Sequence, residues 1–456
     1  MENKKTSSAW ILSLTSLGFF MSMMDSMIVT TASTAIRNDL HISVGTLQWA
    51  LTAYNITIAA VLLVGVSLGE RIGRRKMYNI GILIFTIGSI LCALSDSISF
   101  LVISRIIQGI GGSVMTPMSM AILTHSLPDS ERGKALGIWS GIGGLALIVG
   151  PSLGGFIVET LAWQWIFWIN VPIGIIAIYL SNKILPESKG NSDKISSLDA
   201  ILIIFSSAGI IWALSEITSP KLTVTTIIIA LLSLIIGIWF VLRQKSEQKP
   251  MLPLRYFKSK TFTGGNVATF LLYAAMYGVV FFLPQFLQVV GGADSLRAGL
   301  EILPWTGTLV IVAPFAGKAV DKFGEKPIAT LGLLLQGIGY LLIMLFVHQN
   351  SSYLVMVVPL AIAGVGLSMA GPALQKAVLG AVEPQSLGKA SGIYNVFRLL
   401  GGAVGTTISV IVFYKFGSII NASQFTRGFK SAMLCAAILS FLGILFSAQF
   451  KKRIVD

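Results

Sequence analysis

The sequence predicts an all-α membrane protein of fourteen transmembrane helices, arranged as six, two and six, with both termini cytoplasmic. Three observations lead there. Apolar residues fill 54% of the 456 positions and charged residues only 11%, less than half of the about 25% that a water-facing surface requires. The apolar positions gather into runs long enough to cross a bilayer, and the basic residues gather on one side of those runs. This composition argues against a soluble enzyme, a disordered regulator and a disulfide-built secreted domain.

A span needs roughly 20 apolar residues, because unpaired peptide groups are costly in hydrocarbon. In the first half such runs lie near 10–34, 46–68, 78–96, 99–123, 136–158 and 165–183. Two more follow at 198–218 and 222–242, and the second half has 262–284, 299–317, 328–347, 353–375, 389–414 and 430–450. The first run contains Asp25, is followed by Arg37 and lacks a cleavage site of small residues, so it reads as a retained span. With the amino terminus inside, 25 Lys and Arg fall on inner segments and 6 on outer ones. That bias orients the chain. It also accounts for the net charge of +14 without a nucleic-acid partner, since the bases form no patch on a soluble domain.

The loop after the second run, Leu68-Gly69-Glu70-Arg71-Ile72-Gly73-Arg74-Arg75-Lys76, is echoed after the tenth by Gly317-Lys318-Ala319-Val320-Asp321-Lys322-Phe323-Gly324. Gly73 and Gly324 are 251 residues apart, and removing 198–242 leaves 206, a sensible length for six spans with loops. The repeat predicts parallel halves at 1–183 and 258–456. Between them, 184–257 is read as a linker whose two inserted helices pack peripherally against lipid.

These residues resemble the major facilitator superfamily, and within it the fourteen-span drug:proton antiporters of the bacterial, staphylococcal quinolone and antiseptic exporter type. The loop motif G-x-L-a-D-R-x-G-R-K is matched at Leu68, Arg71, Gly73, Arg74 and Arg75, with Glu70 in place of Asp and Val66 in place of the first glycine. Arg105-Ile106-Ile107-Gln108-Gly109-Ile110-Gly111 is similar to the fourth-span motif R-x-x-Q-G-x-G. Gly150-Pro151-Ser152-Leu153-Gly154-Gly155 is similar to the fifth-span signature of exporters, and Trp163 to Pro172 to the W-x-W-x-F-x-x-N-x-P block of the fourteen-span branch. The resemblance implies a major facilitator fold, proton-coupled efflux by alternating access, and no enzyme activity. The implied partners are protons, small-molecule drugs and membrane lipids, with the chain acting as a monomer.

Asp25 stands out without any family knowledge. It lies about 13 Å along its span at 1.5 Å per residue. A carboxylate so placed needs a proton or a cation, which suits an antiporter that holds hydronium and a cationic drug in turn. That scheme requires Asp25 to be reachable from a central cavity. Arg105, about 9 Å into the fourth span, is read as a coupling partner or a static helix tie. Glu301 is read as a second cavity carboxylate or an interfacial acid, and Arg398, about 15 Å into the thirteenth span, as a buried cation in need of a partner, with Asn395 one turn away. Met21, Met23, Met24 and Met27 either line a pocket or fill the core. Trp49, Tyr54, Asn55, Gln108, Tyr273, Tyr277, Gln288 and Tyr394 are further cavity candidates. Glu70, Arg71, Gly73, Arg74, Arg75, Asp321 and Gly324 are read as gating residues whose charge networks close the inner side. Gly150, Pro151, Gly154 and Gly155 are read as a close-packed seam.

No phosphate-binding Gly-x4-Gly-Lys-Ser/Thr loop is present, and His41, His125, His348, Cys92 and Cys435 show no metal-ligand spacing, so no cofactor or metal is expected. Two other readings stay open: a metabolite, siderophore or amino-acid transporter on the same fold, and a membrane enzyme or sensor, for which no constellation of residues speaks.

Overall fold

The computed structural model describes residues 8–42, 44–190, 196–217, 223–247, 250–293, 295–349 and 351–450, all as helices and their connections, with no strand among them. Lys4, Lys5, Lys194, Lys221, Lys249 and the basic tail 451–453, used above for orientation, lie outside these residues, as does the side chain of Pro151.

The first half begins with α1 (Ser8–Thr31), α2 (Ser33–Asp39), α3 (Val44–Ile72) and α4 (Arg74–Ala93). It continues with α5 (Ile98–Ser126), α6 (Asp129–Thr160), α7 (Trp165–Trp168) and α8 (Asn170–Ile184). Next come α9 (Ser197–Ile217) and α10 (Val224–Ser246), then α11 (Lys260–Val289), α12 (Ser295–Glu301), α13 (Leu303–Ile311) and α14 (Ala313–Phe323). The last four are α15 (Glu325–Phe346), α16 (Leu354–Gly380), α17 (Leu387–Phe416) and α18 (Ala422–Ser447).

Among the described residues twelve helices are long and apolar enough to cross a membrane, and α13 with α14 makes a thirteenth span if the bent pair is taken as one. The expected run 136–158 lies inside α6, which is 32 residues long. The tenth expected run is broken by a 50° bend between Ile311 and Ala313. Pro314 sits at the start of α14 and has no N–H to continue the ladder, which is why the bend falls there. Most helices outrun their apolar stretches, because polar residues continue the helix into the interfaces.

Helix pairing follows the repeat. α4 packs on α5 as α15 does on α16, α1 on α6 as α11 on α17, and α4 on α8 as α15 on α18. α10 is peripheral, with only 17% of its apolar window buried. α9 is not. It packs on α3 and α17 as well as α10, so the expectation that both inserted helices merely face lipid is corrected. α10 is the more apolar of the two, with a mean hydropathy of 2.7 against 1.9 for α9.

Small residues let the helices approach. A side chain at Gly150 would meet the Met24 carbonyl oxygen at 3.2 Å, and one at Gly154 the Ile28 carbonyl oxygen at 3.2 Å, so the fifth-span seam lies directly on α1 around Asp25. Gly155 has nothing within 4 Å of its Cβ position and is not part of the seam. Gly73, with φ 124°, and Gly324, with φ 86°, turn the chain between α3 and α4 and between α14 and α15, where any other residue would be strained.

Gly150→Leu is expected to lower stability by about 1–3 kcal/mol through overpacking, read as an earlier denaturation midpoint in detergent, whereas Gly155→Ala leaves the midpoint unmoved.

Candidate functional site: a central cavity and a buried charge cluster

α1 places Asp25 against α5 and α8, where four groups meet. Arg105 Nη1 donates to Asp25 Oδ2 at 2.5 Å and Gln108 Nε2 to Oδ1 at 2.8 Å. Asn170 Nδ2 donates to the same Oδ1 at 3.3 Å. Gln108 is held in this orientation because its Oε1 accepts from Arg105 Nη1 at 2.6 Å while its Nε2 also donates to Ser89 Oγ at 2.8 Å. Asp25 and Gln108 are 0% exposed and Arg105 1%. The guanidinium carbon lies 4.1 Å from the centroid of the Tyr54 ring, a favourable cation–π placement in a dry site. Asn170 is a partner that sequence reasoning missed. It was visible as the Asn of the W-x-W-x-F-x-x-N-x-P block, with no sign there of what it touches.

Beside this cluster lies a cavity of about 400 Å³ bounded by α1, α3, α5, α9, α11 and α17. A second, of about 70 Å³, lies between α1, α6, α11, α13 and α16. Met23, Tyr277 and Arg398 line both. Tyr54 and Asn55 line the larger with Asn395, and Tyr273 lines the smaller. Ile211 and Leu214 bring α9 into the wall of the larger. The Leu214 carbonyl accepts from Thr407 Oγ1 on α17 at 3.1 Å.

Asp25 lines neither cavity. In this conformation its carboxylate is closed off, so direct alternation of proton and drug on that one side chain, as expected from the sequence, is corrected. The reason is helical phase. At about 100° per residue, Ser22, Met23, Ser26 and Met27 share the cavity face, and Asp25 stands about 200° around from Met23. Tyr54 is the element between: it lines the cavity, covers Arg105, and its hydroxyl is 2.9 Å from Ser22 Oγ.

The same phase sorts the other candidates. Met23 and Met27 face the cavity, whereas Met21 and Met24 are buried core. Trp49 is 47% exposed and Gln288 is exposed on the outer surface of its helix, so neither lines the site. Gln108 belongs to the charge cluster. Tyr394 is fully buried and lines neither cavity. Glu301 closes α12, accepts from Arg297 Nε at 2.8 Å and lines neither cavity, which matches the interfacial alternative. Its own carbonyl accepts from Tyr353. Glu301 itself is 9% exposed, and α12 packs on α11 and α6.

The loop charges form two knots. Glu70 and Arg74, 1% and 0% exposed, make a bidentate pair at 2.7 and 3.0 Å, and Arg74 Nη2 also donates to the carbonyls of Pro384 and Gln385 at 3.3 and 3.4 Å. Asp321 accepts from the backbone N–H of Gly133 and Lys134 at 2.9 and 2.8 Å, near the start of α6, and from Lys376 Nζ at 2.7 Å. Each knot ties a loop of one half to a helix start of the other. Arg75 pairs with Glu187 at 3.8 Å, and Arg71 is exposed.

The family model described as Major Facilitator Superfamily matches residues 15–406 and, in a second match, 265–453. The chain belongs to the Major Facilitator Superfamily. As a member of this superfamily it is a multi-pass cell-membrane protein. It is 31% identical over 454 residues to the riboflavin transporter RibZ of Clostridioides difficile, covering 97% of this chain and 98% of that one. It is 30% identical over 424 residues to the multidrug transporter protein MdtP of Bacillus subtilis, covering 92% and 77%. Its fold is similar to that of the proton:xylose symporter XylE, with a TM-score of 0.67 at 18% identity, covering 96% of this chain and 94% of that one.

Because both members of the Asp25–Arg105 pair are buried, Arg105→Ala is expected to cost about 3–5 kcal/mol by stranding the carboxylate. The double change Asp25→Asn with Arg105→Gln recovers most of it, as a denaturation double-mutant cycle would read.

Proposed function

We propose that this protein is a drug exporter that couples outward movement of amphipathic small molecules to inward movement of protons. The observation that carries the reading is a buried carboxylate–guanidinium pair separated by one tyrosine from a cavity of about 400 Å³, a size suited to a drug-like guest. The multidrug and resistance transporters among the relatives support the export of drugs.

In this reading α6 is counted as the fifth span and brings the number to fourteen, both termini are cytoplasmic, and the bundles 1–183 and 258–456 rock about the cavity, with 184–257 as linker and inserted pair. The chain works as a monomer. The conformation described is the one with the Asp25–Arg105 pair and the loop knots made. Protonation of Asp25 removes the charge that holds Arg105. The guanidinium then has to find another partner, and Tyr54, stacked on it, moves with it. Drug and proton thus compete through Tyr54 and Arg105 rather than on one carboxylate. Glu70 with Arg74, and Asp321 with the start of α6, are the bonds that this rocking breaks and remakes.

A second reading has one specific support. The similarity to a riboflavin transporter runs over nearly the whole of both chains, and the larger cavity is lined by hydroxyl and amide groups at Ser22, Ser26, Thr52, Asn55, Thr406 and Asn395. A neutral, acceptor-rich metabolite on the same proton-coupled fold would fit such a lining.

Asp25→Asn in proteoliposomes is expected to abolish transport driven by an imposed pH gradient while the protein still folds and binds drug. Retained pH-driven flux in that variant would refute proton coupling through Asp25.

A further inference from the structure

The charge facing the cargo is positive. Among the described residues lining the two cavities there is one cation, Arg398, and no carboxylate. Arg398 is 5% exposed, and its Nε has no hydrogen-bond partner. No carboxylate among the described residues lies within ion-pair distance of it, unlike Arg74, Arg105 and Arg243, each of which holds an acid at 2.7 Å or less. What flanks it is aromatic: the guanidinium carbon lies 5.4 Å from the centroid of Phe19 and 5.7 Å from that of Tyr273. Phe19 is in turn stacked on Trp139 at 3.8 Å and 9°.

An arginine cannot shed its charge by deprotonation, and a desolvated cation without an anion is costly. Cation–π contacts offset part of that cost and leave the guanidinium fork unused. The fork is shaped for a carboxylate, which it binds through two parallel hydrogen bonds. One turn before it, Asn395 donates to the Ser391 carbonyl at 2.9 Å and leaves its buried Oδ1 without a partner. That oxygen is an acceptor waiting for an N–H or O–H.

We propose that Arg398 is the anchor of the cargo site and that it takes the carboxylate of a planar aromatic acid. The ring of the acid lies along Phe19 and Tyr273, and a donor on the cargo meets Asn395. The assignment rests on the export reading and deepens it by naming a cargo class. It replaces the cationic cargo expected from Asp25, whose charge Arg105 already neutralises out of reach of the cavity.

The test uses the full chain in lipid nanodiscs and isothermal titration with three probes: nalidixic acid, its methyl ester and ethidium. The acid is expected to bind the native protein at least about tenfold more tightly than the ester or ethidium, a difference of ~1.4 kcal/mol. Arg398→Gln erases that preference by weakening the acid alone. Arg398→Lys, which keeps the charge and loses the fork, falls between. Ester or ethidium binding as tight as the acid, no binding of any probe, or an equal loss of acid and ester in Arg398→Gln overturns the assignment. Should Arg398→Gln fail to fold, the native acid-to-ester ratio and Arg398→Lys decide. Selective binding of the acid without any gradient-driven flux of it in proteoliposomes would refute export and leave the binding site standing.

Discussion

The pair between Asp25 and Arg105 constrains the rest of the first half. Inside a low-dielectric bundle neither charge is tolerable alone, and the remaining lone pairs of the carboxylate have to be met as well. Satisfying them draws α4 through Ser89, α5 through Arg105 and Gln108, α8 through Asn170 and α3 through the Tyr54 ring onto one side chain of α1. The glycines of α6 close the other side, with Gly150 and Gly154 pressed on the backbone of the same turn of α1. A change of protonation there is therefore felt by every helix of the half at once, and a polar cluster of this kind can act as a switch although it is not on the cargo path.

The second half is built on the same helix pairings without the same charges. Where the first half has its ion pair, the second buries a neutral network: Gln336 Nε2 donates to the Tyr340 hydroxyl at 3.2 Å, and Ser440 Oγ to Gln336 Oε1 at 3.3 Å. The buried Arg398 faces the cavity. The halves thus divide the electrostatic work. One keeps a neutralised pair that a proton can disturb, and the other keeps an uncompensated charge that a guest can satisfy. Because the two charges are on opposite sides of the Tyr54 partition, binding an anion at Arg398 does not require Asp25 to lose its own partner, and the two events can be coupled in energy without sharing a site.

What was legible in the sequence was depth, and what was not was azimuth. The apolar run of α1 marks where Asp25 sits in the bilayer, but the helix is apolar around its whole circumference, so composition does not say which face looks inward. Asp25 and Arg105 could be matched because both lay at similar depth in spans of opposite direction. Met23 and Met27 could not be told from Met21 and Met24 in the same way, nor Tyr277 from Gln288. The gate residues were legible as charges on one side of the membrane. That Glu70 and Asp321 belong to separate knots follows from the fold, since each loop reaches across to the helix start of the opposite half, at Gly133 for one and near Gln385 for the other.

The inserted pair breaks the symmetry that the repeat imposes. α9 lies between α3 of the first half and α17 of the second, touches both, and supplies Ile211 and Leu214 to the cavity wall. Thr407 bonds its backbone carbonyl as well as that of Ala403 within α17, so the contact costs α17 none of its own ladder. A helix held this way covers one side of the cavity between the two halves. It does so with apolar side chains and one shared hydroxyl, contacts that can slide rather than snap.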